Sequence, residues 1–364
     1  MKTFLCQCGN TLYFENSHCL VCARDVGFLP DMLELSALQP LDAEHGTALF
    51  NGRRYRRCRN YTAFDICNWM IPDSDPNAYC QSCRLSQLIP NLSEAQNLTL
   101  WQRIESAKRR LLYTLYRLRL PVISREDDPD SGLAFEFIEG RGGQDEFSNT
   151  LNEHKRVLTG HRSGVITINL KEAEHSAREE MREKMNERYR TLLGHFRHEI
   201  GHYYWDRLIR DAGRLQDFRQ LFGDERLDYP MAQRNYYASG PPVNWQATWI
   251  SAYASSHPWE DWAETWAHYM HMMDTLDTAN NYQFSIQGSP IADPMPALRS
   301  NAQTETGSST SFNELVTDWE RLFTALNSLN RSMGLEDAYP FVITGLTLKK
   351  LSFLHNVAAQ TALN

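Results

Sequence analysis

Apolar positions recur at helical spacing in several long stretches of the chain and at strand spacing in two short ones. Leu100, Ile104, Leu111, Leu115 and Leu118 share one face of a predicted helix that Pro121 closes. "EDDPDSG" is a turn-rich break, after which "LAFEFIE" (133–139) alternates as a strand does and "GRGG" reads as a loop. "GVITINL" (164–170), with Val165, Ile166, Ile168 and Leu170 apolar, is the second predicted strand. The charged stretch 171–190 reads as a solvated helix, with Ser176-x-x-Glu179 as a candidate box at its start. A more apolar helix is expected from about Tyr189 to Ile209. Segment 211–257 is rich in Gly, Pro, Asn and Tyr and reads as mostly irregular. "PWEDWAETWAHYMHMMDTL" (258–276) is helical, with proline in its first turn and acidic residues just inside it. After a polar loop, Ser311-x-x-Glu314 boxes a helix whose stripe is Phe312, Leu315, Trp319, Phe323 and Leu326. A last helix is expected near 345–358.

Composition narrows the class of protein. With 364 residues and 42% hydrophobic content, the chain can build one large domain and a smaller one. A formal net charge of -8 disfavours a generic grip on nucleic acid or anionic membrane, leaving only local basic patches. No apolar run reaches membrane-spanning length, so no membrane partner is expected. "MKTFLCQCGN" leaves no room for the apolar stretch of a signal peptide, and the expected location is cytoplasmic.

All eight cysteines fall in the first quarter of the chain. In a reducing compartment such clustering points to metal rather than disulfides. Cys6-x-Cys8 and Cys19-x2-Cys22 form two close pairs that can place four thiolates round one zinc ion, with Gly9 at a tight knuckle. Cys58, Cys67 and Cys80-x2-Cys83 make a looser second set. Spacing alone leaves open an interleaved arrangement with pairs exchanged between the sets. Residues 1–90 are thus expected to be a zinc-ribbon region with two four-cysteine sites, and 91–364 the main domain. Ribbons of this kind replace a core with metal and present a surface. "RRYRRCR", with five arginines between Arg53 and Arg59, would suit a nucleic-acid or acidic protein partner, or would be a solvated loop beside a zinc site.

The apolar helix carries "HFRHEIGHYYW". His198 and His202 lie one turn apart, so both rings can reach one ion. Glu199 beside them is placed to act as general base on a metal-activated water. In a chain with twelve histidines this spacing arises by chance in roughly a few percent of sequences. Gly201 leaves space behind the metal face. The later helix offers Glu260 and Glu264, one turn apart; one would bind the metal and the other orient a ligand histidine. Tyr253, seven residues before Glu260, is placed to donate to the oxyanion of an attacked carbonyl. His257, His268 and His271 read as hydrogen-bonding or packing groups.

"HEIGH" followed by "YASSHPWEDWAE" resembles the zincins of gluzincin type, whose third ligand is a glutamate on a second helix. The Tyr-x6-Glu-x3-Glu spacing is similar to that of anthrax lethal factor and the Pro-Pro endopeptidases. The resemblance implies Tyr253 as the stabilising tyrosine, Glu260 as ligand and Glu264 as the acid behind a histidine. Asp261-Trp262 departs from the pattern, which leaves Glu264 open as the ligand. Nearly end to end, "CNWMIP", "YCQSCRL", "AKRRLLYTL", "LTGHRSGVITINL", "YRTLLGHFRHEIGHYYWDRL", "FGDER" and "LNSLNRSMGL" resemble the bacterial zinc-binding metallopeptidases with an N-terminal zinc ribbon. That implies an α+β, mainly helical zincin-like domain hydrolysing peptide bonds of a protein or peptide substrate, with one catalytic and two structural zinc ions. The alternative is a binding module whose zincin-like domain is a spectator. In zincins an edge strand lies over the active site; "GVITINL" is the candidate here, with "TGHRSG" and its His161 and Arg162 at the lip of the cleft.

Overall fold

A computed structural model describes residues 2–42, 47–139, 159–185, 191–296 and 311–363 of the chain. The fold is mixed α+β and divides into two compact units: Met1–Arg117 with Val122–Lys184, and Leu118–Pro121 with Met185–Asn364.

The first unit opens with a small hairpin, β1 (Phe4–Leu5) and β2 (Thr11–Leu12). Its turn needs Gly9, which sits at φ +85° where a side chain would be strained. A second hairpin follows, β3 (Val26–Leu29) against β4 (Glu34–Ala37). Then comes an antiparallel sheet of β5 (Gln39–Asp42), β6 (Thr47–Phe50), β7 (Arg53–Arg57) and, after the short helix α1 (Arg59–Phe64), β8 (Met70–Pro72). Phe28 anchors the core here: its ring lies 5.1 Å from Phe14, 4.8 Å from Trp69 and 5.9 Å from Tyr113. Tyr113 comes from the long helix α2 (Ala95–Arg117), which follows β9 (Ser86–Leu88) and buries the expected Leu100, Ile104, Leu111 and Leu115.

Two further strands, β10 (Ala134–Ile138) and β12 (Val165–Asn169), match the alternating segments and pair in parallel. The sheet order is β11-β12-β10-β9, where β11 is Gly160–Arg162. The expectation that "GVITINL" forms the edge is therefore corrected: β12 is interior and β11 is at the edge. The cause is the Ser163-Gly164 turn, at φ +48° and +85°, which folds His161 back across Ile166. The next helix, α3 (His175–Met185), begins before Ser176, so that serine lies inside the first turn and is no cap.

The second unit is mainly helical, with one small hairpin pairing Ser285–Ile286 with Ser289–Pro290. Thr191 caps α4 (Leu192–Trp205) by accepting from the Gly194 amide; Tyr189, where this helix was expected to start, and "GRGG" lie outside the described residues. Segment 211–257 is not mostly irregular. It holds α5 (Leu215–Phe222), and α6 (Tyr229–Ser239) with Asp228 at its cap and Pro230 in its first turn. Next comes α7 (Pro258–Asn281), whose cap is the His257 ring accepting from the Trp259 amide. After it stand α8 (Phe312–Ser332), with the expected Ser311–Glu314 box formed, and α9 (Gly345–Leu363).

Helices α4 and α7 meet at Gly201. A Cβ there would stand 3.1 Å from Ala263 Cα and 3.1 Å from Trp266 Cβ, and the Trp262 indole donates to the Gly201 carbonyl at 2.8 Å. The same pair of helices is tied by Arg197 Nη2 to Asp274 Oδ2 at 2.6 Å, a buried ion pair. From α9, Lys350 Nζ reaches Asp261 Oδ2 at 2.6 Å with both side chains about 1% exposed, which gives the buried acid at this departure from the pattern a partner.

Candidate metal centre

The one-turn spacing of α4 brings His198 Nε2 within 3.2 Å of His202 Nε2. From the first turn of α7, Glu260 Oε2 comes to 3.0 Å from His198 Nε2 and 3.6 Å from His202 Nε2. A tetrahedral ion with bonds of about 2.0–2.1 Å separates its ligand atoms by roughly 3.3 Å. The triangle therefore has the dimensions of three ligand atoms round one zinc.

Hydrogen bonding outside the triangle points the same way. His198 Nδ1 lies 2.6 Å from Glu264 Oε1, and Ser251 Oγ donates to Glu264 Oε2 at 2.6 Å. Burial opposes ionisation of Glu264, yet the His198 bond holds its carboxyl down at about 2, so Nδ1 carries the proton and donates. That leaves Nε2 of the neutral ring with its lone pair turned inward. Among the described residues, buried Glu260 Oε2 meets no hydrogen-bond donor apart from these histidine nitrogens. Burial disfavours the charged forms, but Glu260 and Glu264 still drive the His198 pKa well above its ordinary value, and the histidines hold Glu260 well below its own. Converging lone pairs that draw in a proton form a site for a cation, and the donor set of two imidazoles and a carboxylate suits zinc.

Glu199, 9% exposed, follows His198 on α4. Tyr253 lies in a short helical turn before α7 with its ring 6.0 Å from that of His198. Burial, then the Glu260 charge, push its hydroxyl pKa well above the usual value, so it stays protonated as a donor.

Three contributors carried no sequence signal of their own. Tyr229 donates to Glu260 Oε1 at 2.5 Å. Trp259 covers His202, ring centroids 3.8 Å apart. Ser251 holds Glu264 from within an irregular stretch. For Tyr229 only the Asp228-Tyr229-Pro230 helix start was readable. Of the remaining histidines, His257 caps α7 and also meets the Leu227 carbonyl at 3.1 Å, while His268 Nδ1 pairs with Tyr339 at 2.7 Å. His161 Nε2 accepts from the Gly164 amide at 3.0 Å, across its own turn.

In the first unit, ligand atoms of Cys6, Cys8, Cys19 and Cys22 all lie within 4.8 Å of one another, and so do those of Cys58, Cys67, Cys80 and Cys83. Sulfur separations of 3.6 Å (Cys6–Cys22), 3.7 Å (Cys8–Cys19) and 3.7 Å (Cys67–Cys80) match the roughly 3.8 Å edge of a zinc–thiolate tetrahedron. The amides of Trp69, Cys80 and Cys83 each donate to a cysteine sulfur at 3.4 Å. The arginine run is largely spoken for: Arg53 pairs with Asp31, Arg56 with Asp73 and Arg57 with Asp25.

The family model described as "Putative zinc-binding metallo-peptidase" matches residues 97–357, and a zinc-ribbon domain model matches residues 3–94. The chain belongs to this zinc-binding metallopeptidase family. Uncharacterized proteins of Mycobacterium tuberculosis and Mycobacterium bovis are 40% identical over 364 residues, covering 100% of this chain and 96% of each relative. No solved structure matches. Among the described residues no helix is long and apolar enough to cross a membrane.

Proposed function

We propose that the chain is a zinc-dependent peptidase acting on peptide bonds, with residues 91–364 as catalytic domain and 1–90 as a ribbon region stabilised by two zinc ions. The observation that carries this reading is the convergence of His198 Nε2, His202 Nε2 and Glu260 Oε2 at tetrahedral spacing, one residue from Glu199. A zinc ion held by these three supplies a Lewis acid and lowers the pKa of a water toward neutrality.

The side chains do the rest. Glu199 accepts a proton from the attacking water as its oxygen bonds to the peptide carbonyl carbon. Tyr253 donates its hydroxyl to the oxygen that becomes negative. Glu199 then returns the proton to the amine nitrogen as the C–N bond breaks. Glu264 keeps His198 in the tautomer that faces the ion, supported in turn by Ser251. Free cysteines in both clusters fit a reducing compartment, which supports a cytoplasmic site of action.

Zinc content per chain tests this directly. Wild type is expected to carry about three ions and His198→Ala/His202→Ala about two. An unchanged count in the double variant makes the α4 helix structural and ends the reading. Glu199→Gln is expected to keep the full zinc complement while cleavage of a peptide library falls at least about a hundredfold.

A further inference from the structure

Helix α6 buries none of its residues, so it contributes little to the core. Three side chains on one of its faces nevertheless turn toward the segment that carries the site. Tyr229 donates to Glu260 Oε1, Gln233 Nε2 donates to Ser256 Oγ at 3.3 Å, and Tyr236 packs its ring 5.7 Å from Tyr253. Positions 229, 233 and 236 are the i, i+4, i+7 set of a helix. The start of α6 is fixed by Asp228 Oδ1, which accepts from the Met231 amide at 2.7 Å.

We propose that Tyr229 is a positioning residue of the metal centre, whose hydroxyl holds one oxygen of Glu260 so that only the other faces His198 and His202. This rests on the zinc-peptidase reading. The geometry divides the carboxylate: Oε1 is taken by Tyr229 at 2.5 Å, and Oε2 is turned to His198 at 3.0 Å. A carboxylate that grips an ion with both oxygens fills the position a water must occupy. A hydroxyl on the outer oxygen opposes that grip and keeps the position open. Tyr229 also stands edge-on to Trp259, ring centroids 5.8 Å apart, and Trp259 covers His202. One side chain thus steadies the third ligand directly and the second ligand through its neighbour.

The experiment measures zinc affinity of the non-cysteine site by competition with a chelator, together with kcat and KM on a cleaved library peptide. Tyr229→Phe is expected to weaken zinc there by about 10–100-fold and, at saturating zinc, to lower kcat with KM within about twofold. Tyr253→Phe should keep zinc affinity within about twofold and lose turnover. Met231→Ala, an exposed position on the same helix, should change neither. Tyr229→His keeps a donor and should recover part of the affinity. Wild-type affinity in Tyr229→Phe overturns the proposal and leaves the peptidase reading standing. Equal loss in the Phe and His variants, or loss of the fold in both, assigns the effect to packing and also overturns it. A wild type with only two zinc ions overturns both.

Discussion

At the scale of single residues, the site divides by how local its information is. The relative placement of His198, Glu199 and His202 was legible because one helical turn fixes it, and that of Glu260 with Glu264 for the same reason. The choice between those two glutamates was not legible. It depends on how far along α4 the helix α7 docks, which sets Glu260 at Nε2 and Glu264 at Nδ1 of the same ring. Tyr229 was invisible because its partner lies 31 residues further along the chain. The His198 environment makes a prediction about protons. Burial opposes the charge, but the carboxylates of Glu260 and Glu264 raise its pKa well above the ordinary value, so the zinc-free ring holds a proton more firmly than a free imidazole does. Zinc must displace that proton. Affinity should rise with pH by about tenfold per unit below the raised pKa, and calorimetry in two buffers of different ionisation enthalpy should detect about one proton released. Zinc uptake without proton release contradicts this account.

Among elements, the long periodic helices were readable, and the Ser311–Glu314 box was found as expected. Helices α5 and α6 were missed because Gly and Tyr content masked them; the caps that start such short helices are a weaker signal than a long apolar stripe. The role of β12 was misjudged because strand pattern says what is apolar and not which neighbour pairs with it. The α7–α9 contact offers a sharper test. Asp261, buried and faced by Lys350, has its pKa pushed up to about 7 by burial, with Lys350 pulling it back. Lys350→Met removes the only force the pair supplies toward ionisation, and Asp261 then stays protonated further up the pH scale. A folded pKa above the unfolded value means stability present at low pH and lost as pH rises. The variant's deficit should therefore widen above about pH 7, reaching the roughly 3–5 kcal/mol of a broken buried pair. Chemical denaturation at pH 5.5 and 8.5 measures it; equal deficits at both would contradict the assignment.

For the whole molecule, the two cysteine sets were legible from spacing, whereas the arginine run was not. Its acidic partners Asp25, Asp31 and Asp73 sit on other turns and strands, so a basic string in the sequence becomes a row of ion pairs in the fold. The three clusters also differ in access. Cys58, Cys67, Cys80 and Cys83 are all buried, while the His198 side chain is 13% exposed and Cys8 of the other cysteine set is exposed. A mild chelator should therefore strip the histidine site before the buried cysteine site, and activity should be lost while that site still holds its zinc. Loss of zinc from the buried site, and of the structure round it, should come later. A dye that reports zinc release, run beside an activity assay, separates the two phases, and a single simultaneous phase would refute the order. A last consequence attaches to Gly201. A methyl group there requires Ala263 and Trp266 to yield by a few tenths of an ångström, and both stand on the helix that carries Glu260 and Glu264. The hydrogen atom at position 201 thus sets how closely one helix can present its carboxylates to the histidines of the other.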